Sequence, residues 1–383
     1  MKTAADVVII GGGCMGASVA FHLTRRGVTN VVLVERDTML GTGSTGRNAG
    51  GVRHQFSSEA NIRLSLESIR TLEHFGDEVG HDIDFHQDGY LFLLSTPESV
   101  ATFTRNVEIQ RGCGVEVDWL DAAGAERLAP GLDAAAVLGA TFCQRDGIAD
   151  PNGVTMGFAK AAQAMGVDIE RETEVTGIEV ASGRIAGIAT SRGRISTGVV
   201  VNAAGPHARP VGRLAGVDVP VDPYRRHIFI AQDFKRVVPP NRIMVIDFST
   251  TFYFHREGAG VLFGMGDPLE PAGFDTTVRW DFLPQVTDVA LRRLPALEDA
   301  SISHAWAGLY EMSPDGNPLI GPAPGVEGLF LINGFSGHGF QHSPAAGRIL
   351  ADVIAGRDPR MDLAPFAPNR FASGDAVGER YVV

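Results

Sequence analysis

Apolar and polar residues alternate along the chain in patterns that change between strand-like and helical spacing. Near the start, the apolar run from Val7 to Ile10 predicts a buried strand, and the run from Val31 to Val34 predicts another. The residues between these runs carry apolar side chains at helical spacing. The pattern therefore predicts a βαβ unit, in which the start of the helix lies at one edge of a parallel sheet.

Three glycines, Gly11, Gly13 and Gly16, lie between the first strand and the helix. They suit, in that order, a tight turn, a close approach of the backbone to a pyrophosphate, and close packing of the helix on the strand. Glu35 follows the second strand, 19 residues after Gly16, where a carboxylate can accept both hydroxyls of a ribose. These features predict a dinucleotide-binding unit. The alternative is a glycine-rich turn in an ordinary α/β domain.

The rest of the chain is predicted to mix helices and strands. The predicted elements are helices over 57–74, 97–111 and 281–294, a helix from Asp150 that Gly166 ends, and a strand over 89–95. Residues 183–205 predict a hairpin with its turn at 191–193, followed by a buried strand. Four strand-like runs within 221–266 predict an antiparallel sheet.

A strand, a glycine-rich loop and a helix follow one another within residues 329–356. Ser343 suits the N-cap of this helix, Pro344 its first position and Gly356 its end. Such a loop directs several N–H groups and the positive helix end at one point. That arrangement suits the flavin edge that becomes anionic on two-electron reduction. The alternative is an ordinary βα crossover.

Composition and charge narrow the classes of function. The net charge of −12 argues against nucleic acid or an anionic membrane as partner. Three cysteines without a CxxC pair indicate neither a disulfide framework nor a zinc site, and no metal is expected. No apolar run reaches membrane-spanning length, and a strand begins within the first ten residues, where a signal peptide would lie. We expect a cytoplasmic enzyme without membrane insertion, built from about two to three domain-sized units.

Four separated motifs carry a family resemblance. They are VVIIGGGCMG with VLVER, GSTGRNAGGVR (43–53), VVVNAAG (199–205), and SPDGNPLIG with GFSGHGFQ (313–341). In order and spacing they resemble the FAD-dependent oxidoreductase family of D-amino-acid oxidase, glycine oxidase, sarcosine oxidase and dimethylglycine dehydrogenase. Within it, the chain is most similar to the sarcosine oxidase and proline dehydrogenase β-subunit branch. It also resembles a mitochondrial FAD-containing oxidoreductase linked to respiratory-complex assembly.

The resemblance implies an α/β fold with FAD as cofactor. A Rossmann-like FAD-binding domain of the glutathione reductase type is expected over 1–85, 141–220 and 301–383. An interleaved α+β substrate domain, built on an antiparallel sheet, is expected over 86–140 and 221–300. The residues implied to bind FAD are Gly11, Gly13, Cys14, Met15, Gly16, Glu35, Arg36, Ser44, Thr45, Arg47, Asn48, Ala49, Gly50, Val175, Gly205, Gly337, His338, Gly339, Phe340 and Gln341.

The same resemblance implies individual roles within the FAD site. The first glycine loop would hold the pyrophosphate and Glu35 the adenosine ribose, while Ser44 and Thr45 would add hydroxyls to the phosphates. The backbone over 47–50 would run along the flavin, and the loop over 337–341 would meet the pyrimidine end of the isoalloxazine ring.

Four residues are expected to form the catalytic, substrate-facing part of the site. Arg53 matches a family arginine that grips the amino-acid carboxylate, although a surface arginine at a helix entry is the alternative. Tyr253 either roofs the pocket or is a core aromatic with its hydroxyl at the rim. His338 has the best site claim among the 11 histidines, whereas His54 either lines the same wall or is solvated. Gln341 replaces a second carboxylate-binding lysine of related oxidases.

Three departures from the family pattern bear on the chemistry. Gly308 stands where monomeric sarcosine oxidases attach FAD through a cysteine, so non-covalent FAD is expected. No histidine lies within 149–154, where heterotetrameric β-subunits carry a covalent FMN. Leu262 replaces a lysine that helps oxygen to accept electrons, and the loss of that charge in a low-dielectric site should slow oxygen reduction. Dehydrogenase chemistry is therefore favoured over oxidase chemistry.

The predicted function is FAD-dependent oxidation of an amino acid, of the secondary-amine kind (sarcosine, dimethylglycine, proline or hydroxyproline type). Hydride transfer to flavin N5 would give an imine that water hydrolyses. Besides the substrate, an electron acceptor or a partner subunit is expected. Oxidation of a 2-hydroxy acid or glycerol-3-phosphate is one alternative, with added cations from Arg225, Arg226 and His227. A non-catalytic flavoprotein for assembly or electron transfer, without an open pocket beside the flavin, is another.

Overall fold

The computed structural model describes residues 1–373 and 378–379. The strands are β1 (Val7–Ile10), β2 (Val31–Val34), β3 (Gly51–Val52), β4 (Tyr90–Leu94), β5 (Asp118–Leu120), β6 (Gly139–Cys143), β7 (Gly147–Ile148), β8 (Asp168–Glu170), β9 (Val175–Ala181), β10 (Arg184–Thr190), β11 (Gly193–Ser196), β12 (Val200–Asn202), β13 (Asp222–Gln232), β14 (Met244–Asp247), β15 (Phe252–Glu257), β16 (Gly260–Met265), β17 (Ser301–Met312), β18 (Leu319–Pro322) and β19 (Leu329–Asn333). The helices are α1 (Cys14–Arg25), α2 (Glu59–Glu73), α3 (Phe75–Val79), α4 (Pro97–Gly112), α5 (Ala122–Leu128), α6 (Pro151–Ala164), α7 (Ala208–Leu214), α8 (Leu283–Arg293), α9 (Gly339–Ile354) and α10 (Arg370–Ser373).

The predicted βαβ unit forms the centre of a six-stranded sheet. The strand order is β18-β19-β12-β1-β2-β8, and all neighbours are parallel except β18 and β19. Every residue of β1 and β2 is buried, as expected for parallel strands covered on both faces. Helices α1, α6 and α9 pack on one face, and the three-stranded sheet β11-β10-β9 contributes to the core on the other. The α/β fold class is confirmed.

An eight-stranded sheet holds the strands predicted within 221–266. Its order is β17-β13-β16-β15-β14-β4-β6-β5, and its pairs are antiparallel except for β14 and β4. One face buries Phe229, Phe254 and Phe263 in a core that α8 completes with Val286 and Ala290. The other face is turned towards the loops that follow the six-stranded sheet.

Two of the predicted domain boundaries do not match the strands of this sheet. The boundary at 141 falls inside β6, and the boundary at 301 assigns β17 to the FAD-binding domain although β17 pairs with β13 along its length. Both strands join the sheet through long-range pairing, which local sequence patterns do not reveal. The last predicted FAD-binding segment, 301–383, also includes 374–377 and 380–383, which lie outside the described residues.

Helix α9 begins earlier than predicted. Its N-cap is His338 and its first residue is Gly339, so Ser343 is not the cap and Pro344 lies inside the helix. A proline there removes one intrahelical hydrogen bond. The Ser68 hydroxyl of α2 compensates close by, because it accepts a hydrogen bond from the Ala345 N–H and donates one to a neighbouring carbonyl oxygen. The predicted end is confirmed, since Gly356 follows the C-cap with φ +67°.

Within 1–373 and 378–379, none of the helices combines the length and apolar character that crossing a bilayer requires.

Candidate active site

A cavity of about 650 Å³ separates the glycine loops of the six-stranded sheet from the open face of the eight-stranded sheet. This volume is in the range of known small-molecule sites. The predicted FAD-binding residues that line it are Gly11, Gly13, Cys14, Met15, Glu35, Arg36, Ser44, Thr45, Arg47, Asn48, Ala49, Val175, Gly205, Gly337, His338, Gly339, Phe340 and Gln341. Arg53 and Tyr253 line it as well. The structure thus brings the separated motifs to one place.

Two predicted FAD-binding residues, Gly16 and Gly50, do not line the cavity. Gly16 lies inside α1, where an added Cβ would stand 1.9 Å from the Gly11 carbonyl oxygen. Gly50 has φ +74°, and a Cβ there would stand 2.6 Å from the Ala149 carbonyl oxygen. Both glycines therefore permit close packing behind the cavity wall, as predicted for Gly16, and contact of either glycine with FAD stays a prediction.

The first glycine loop and the start of α1 form one end of the cavity. Gly11 has φ +110°, and a Cβ on it would collide with the Ala203 carbonyl oxygen at 2.4 Å. Gly13 is the N-cap of α1, and neither a side-chain cap nor an acidic residue covers the first turn. The N–H groups and the positive end of the helix dipole therefore favour an anion at this end.

The carboxylate of Glu35 is fixed beside this loop. One oxygen accepts a hydrogen bond from Gly12 N at 2.7 Å, and the other accepts one from Asp37 N at 2.9 Å. Each oxygen keeps a lone pair that can accept a further hydroxyl. At the same end, Arg36 lies 2.9 Å from the Nε2 atom of His207. Burial and the Arg36 charge lower the pKa of His207 to about 4, so its imidazole is neutral at pH 7.

The second glycine-rich loop is tied to β17. Ser44 lines the cavity and donates its hydroxyl proton to the Leu309 carbonyl at 2.6 Å, and its role towards a phosphate stays a prediction. Arg47 donates to the Ala307 carbonyl at 2.8 Å, and Trp306 donates to the Arg47 carbonyl at 3.0 Å. Thr45 remains close to the start of α1, where its hydroxyl accepts a hydrogen bond from the backbone N–H of the first helical residue at 3.3 Å.

The start of α9 forms the opposite wall. Gly337 has φ +95°, and the ring of Tyr310 lies where its side chain would be, 2.3 Å from an added Cβ. His338 is buried, with its ring 5.1 Å from that of Phe56. Burial and the charge of Arg53 lower the pKa of His338 to about 3, so this imidazole is neutral. A neutral ring can accept or donate a hydrogen bond but adds no positive charge.

Arg53 is buried at this wall, so the alternative of a surface arginine is wrong. Its backbone N–H donates to Oε1 of Gln341 at 2.7 Å, and its guanidinium carbon lies 3.9 Å from the ring centroid of Phe56. The guanidinium also donates to the carbonyl oxygen of Gln55. The Nε2 group of Gln341 is buried and has no partner within the described residues. Arg53 is therefore held in place beside a free amide donor.

Behind Arg53 lies a buried polar network around Asp146. His54 Nδ1 lies 2.6 Å from one carboxylate oxygen of Asp146, and Gln55 donates to the other at 3.1 Å. His54 does not line the cavity and is not solvated, so both expectations for it are wrong. Cys143 brings a third ligand-type atom within 4.8 Å. The hydrogen bonds among these groups account for the cluster, which supports Arg53 through Gln55.

The cavity face of the eight-stranded sheet closes the site. We use this name for Tyr90, Arg226, Ile228, Met244, Ile246, Tyr253, Gly308 and Tyr310, all of which line the cavity. Register explains the grouping, because Arg226 pairs with Gly308 and Ile246 pairs with Tyr253 across neighbouring strands. Tyr253 thus lines the cavity as one of its two expected placements requires. Burial raises its pKa well above the ordinary value.

Only one of the three residues suggested as added cations reaches this face. Arg226 lines the cavity, whereas Arg225 is ion-paired with Glu270 at 2.8 Å. His227 accepts a hydrogen bond from the Arg279 N–H at 3.1 Å, away from the cavity. Strand alternation separates the neighbours, since residues 225 and 227 point to the opposite face from residue 226.

Glu311 is a site residue that the sequence analysis missed. It lines the cavity, and its carboxylate accepts a hydrogen bond from Gly334 N at 3.2 Å. Burial raises the pKa of Glu311 to about 7, although backbone donors at Gly334 and Phe335 act against the rise. The sequence does carry a signal for this site. A glutamate between an apolar strand and the SPDGNPLIG motif is expected to be buried only where a polar partner is available, which points to a functional position.

These residues fit FAD. Glycines leave space where side chains would otherwise fill the cavity wall, uncapped N–H groups face one end, and a carboxylate is positioned for hydroxyls. The buried, unpartnered amide of Gln341 supplies a donor at the other end. When bound, FAD supplies a two-electron acceptor.

Comparisons with known proteins agree with this fit. Residues 6–353 match the model of the family described as FAD dependent oxidoreductase (DAO). The chain is 33% identical to FAD-dependent oxidoreductase domain-containing protein 1 of Xenopus laevis, over 99% of this chain and 85% of that protein. It is 29% identical to sarcosine oxidase subunit beta of Arthrobacter sp., over 99% and 94%.

Among solved structures, L-proline dehydrogenase from P. horikoshii has a TM-score of 0.90 and 35% identity, covering 98% of this chain and 100% of that one. The match in sequence and in fold extends across both large sheets. The chain therefore belongs to the FAD dependent oxidoreductase (DAO) family, and FAD is its cofactor.

Proposed function

We propose that this protein oxidises an amino acid of the secondary-amine kind, such as sarcosine, proline or hydroxyproline, or the tertiary analogue dimethylglycine. One observation carries the proposal: a buried arginine, Arg53, lies in the same cavity as the glycine loops and is held there by Gln341. Two relatives support the substrate class, because their names refer to proline and sarcosine, which are both secondary amines with one carboxylate.

Arg53 would bind the substrate carboxylate. A guanidinium forms two parallel hydrogen bonds with a carboxylate, and burial strengthens the charge interaction. The free Nε2 donor of Gln341 would add a third hydrogen bond. Because the Gln341 side chain also holds the Arg53 backbone, the two donors keep a fixed relative position. The protein would contribute to this reaction mainly by orienting the substrate.

Apolar side chains on the cavity face favour a water-poor environment for the substrate. Ile228, Met244 and Ile246 supply apolar surface on the cavity face, and Tyr253 adds a ring. Because His338 is neutral, it adds no second positive charge beside Arg53. We propose that the amine binds as the free base and that FAD, when bound, would accept a hydride from the carbon beside the nitrogen. The product would be an iminium ion, which gives up its N–H proton to water, where it has one, and is hydrolysed after release. No protein general base is required for this sequence.

We further propose that the enzyme is a dehydrogenase with non-covalently bound FAD. The chain has three lysines, Lys2, Lys160 and Lys235, and none of them lines the cavity. Leu262 is buried and also outside the cavity lining. Oxygen therefore meets no ammonium group that would stabilise superoxide. An added Cβ at Gly308 would stand 3.0 Å from the Cβ of Arg47, which leaves little room for a cysteine.

Anaerobic mixing tests the proposal. FAD-loaded protein is combined with sarcosine, dimethylglycine, proline, hydroxyproline and a 2-hydroxy acid, and the flavin absorbance is followed. We expect an amine to bleach the flavin, and a redox dye to reoxidise it faster than oxygen. Arg53→Gln should raise the amine Kd about 10- to 100-fold, the loss of a charge-assisted hydrogen bond of about 1.5–3 kcal/mol.

The matched control is Arg213→Gln, because the Arg213 side chain is 66% exposed on α7. Absence of bleaching by every amine would reject the substrate class. Bleaching by the hydroxy acid alone would favour the 2-hydroxy-acid or glycerol-3-phosphate alternative, for which Arg226 is the available added cation. Equal Kd values for wild type and Arg53→Gln would remove Arg53 from the site.

A partner subunit and a cytoplasmic location complete the proposal. The partner is suggested because sarcosine oxidase subunit beta is by name one part of a larger enzyme. The location is supported by Cys14, Cys113 and Cys143, which are all free thiols. Mass measurement of the tagged protein purified from its own cells tests the first, and cell fractionation tests the second. A bare monomer, or recovery outside the cytoplasm, would contradict them.

A further inference from the structure

Arg226 places a second guanidinium in the cavity. Its strand β13 lies between β17 and β16, and its side chain stands on the cavity face with Ile228. The guanidinium carbon is 5.1 Å from the ring centroid of Tyr310. Burial raises the pKa of Tyr310, while the charges of Arg226 and Arg53 both act against that rise. Both cations therefore act on the same side chain from within one cavity.

Arg226 lacks a counter-ion among the described residues. Its hydrogen bond is from Nη1 to the carbonyl oxygen of Arg225 at 2.9 Å. Its Nε atom is buried and has no partner. The contrast with Arg225 is direct, because that side chain is paired with Glu270 at 2.8 Å and with Asp275 at 2.6 Å. The fold neutralises one arginine of this pair and leaves the other uncompensated.

The acidic groups that line the cavity are not placed to pair with Arg226. Glu35 and Glu174 belong to the end formed by the first glycine loop and β9, and Asp37 follows β2. Glu311 accepts a hydrogen bond from the Gly334 backbone. The other members of the cavity face are aromatic, apolar or glycine. The Arg226 side chain is half-buried, so its guanidinium loses part of its hydration without gaining a counter-ion, and an anion bound in the cavity would offset that cost.

We propose that the substrate carries a second carboxylate, which Arg226 binds while Arg53 holds the first. This inference rests on the proposed amino-acid oxidation and narrows its substrate class to amino dicarboxylates. The added carboxylate has two chemical sources: the substituent on the nitrogen, as in iminodiacetate, or the side chain, as in N-methylaspartate. A guanidinium binds either one in the same bidentate manner.

Thioether analogues test this inference by binding alone. They carry sulfur in place of the amine nitrogen, and their Kd is read from the change in flavin absorbance of the FAD-loaded protein. Methylthioacetate has one carboxylate, thiodiacetate adds one on the nitrogen-equivalent arm, and methylthiosuccinate adds one on the side chain. We expect one of the two dicarboxylates to bind at least about tenfold more tightly than methylthioacetate, which corresponds to about 1.4 kcal/mol.

Substitutions test which residue causes the tighter binding of the dicarboxylate analogue. Arg226→Gln should remove the advantage of the dicarboxylate, and Arg226→Lys should keep part of it because the charge remains. Arg256→Gln is the matched control, because Arg256 lies on β15 outside the cavity lining and should keep the full advantage. Equal binding of all three analogues by the wild type would overturn the inference, and so would an advantage that survives in Arg226→Gln.

The two proposals fail in distinguishable ways. If monocarboxylate amines bleach the flavin while the dicarboxylate analogues show no advantage, only the second-carboxylate inference is wrong. If no amine bleaches the flavin but the dicarboxylate advantage depends on Arg226, the anion site stands and the oxidation of amines is wrong.

Discussion

Replacement of Glu311 by glutamine should change how the stability of the protein depends on pH. The Glu311 carboxyl is buried between the loop after β19 and the start of α9, and Gly334 N donates to it at 3.2 Å. No basic side chain contributes to its titration, so burial dominates and raises its pKa from 4.5 to about 7. Glutamine keeps the shape and an acceptor for Gly334 but cannot ionise.

The sign and size of the effect follow from linkage. Between about pH 4.5 and 7 the folded protein holds a proton on Glu311 that the unfolded chain has lost. The free energy of unfolding therefore falls as pH rises through this window. A pKa difference of about 2.5 at 1.36 kcal/mol per unit gives a loss of about 3 kcal/mol. Glu311→Gln should remove this loss.

Urea unfolding of the protein stripped of FAD, at several values between about pH 5 and 8, measures the effect. The wild type should lose about 2.5 kcal/mol more than Glu311→Gln across that range, because part of the effect lies below pH 5. Glu108→Gln is the control, because Glu108 is exposed on α4 and should follow the wild type. Parallel curves for wild type and Glu311→Gln would refute the reasoning.

Three further substitutions test other parts of the site. Gly16→Ala should lower the melting temperature and weaken FAD binding, because the new Cβ would stand 1.9 Å from a backbone oxygen and overpacking costs about 1–3 kcal/mol. Gly198→Ala is the control, because its Cβ would meet nothing within 4 Å. Equal melting temperatures for the two variants would contradict the prediction. Glu35→Ala should raise the FAD Kd about 10- to 100-fold in a fluorescence titration, since two backbone N–H groups lose their charged acceptor, and an unchanged Kd would speak against a ribose site there. Asp146→Asn should lower the free energy of unfolding by about 1.5–3 kcal/mol, because the buried carboxylate accepts hydrogen bonds from the His54 backbone N–H and from Gln55, and a loss below about 0.5 kcal/mol in urea would show the network to be unimportant.

The features that could be predicted from the sequence are local ones. The βαβ unit with Gly11, Gly13 and Glu35 is readable because each step needs a particular residue type at a fixed distance along the chain. The same holds for the hairpin of β10 and β11, whose predicted turn at 191–193 lies where the two strands meet. Turn geometry selects residues directly, so these elements leave a clear sequence signal.

The features that escaped prediction depend on contacts between distant segments. β17 joins the eight-stranded sheet only through its pairing with β13, which no local pattern specifies. Likewise, α9 begins at Gly339 and holds Pro344 inside it, where Ser68 of another helix supplies hydrogen bonds to the neighbouring backbone groups. The roles of Glu311 and Arg226 follow from burial and from missing partners, and both are properties of the assembled cavity.

The central claim is that FAD and the carboxylate of an amino acid meet in this cavity, with Arg53 as the anchor. A crystal structure of the protein with FAD and methylthioacetate tests it most directly. We expect the flavin between the loop over 337–341 and the cavity face, and the ligand carboxylate within hydrogen-bond distance of the Arg53 guanidinium. FAD bound elsewhere, or a ligand carboxylate remote from Arg53, would contradict the claim.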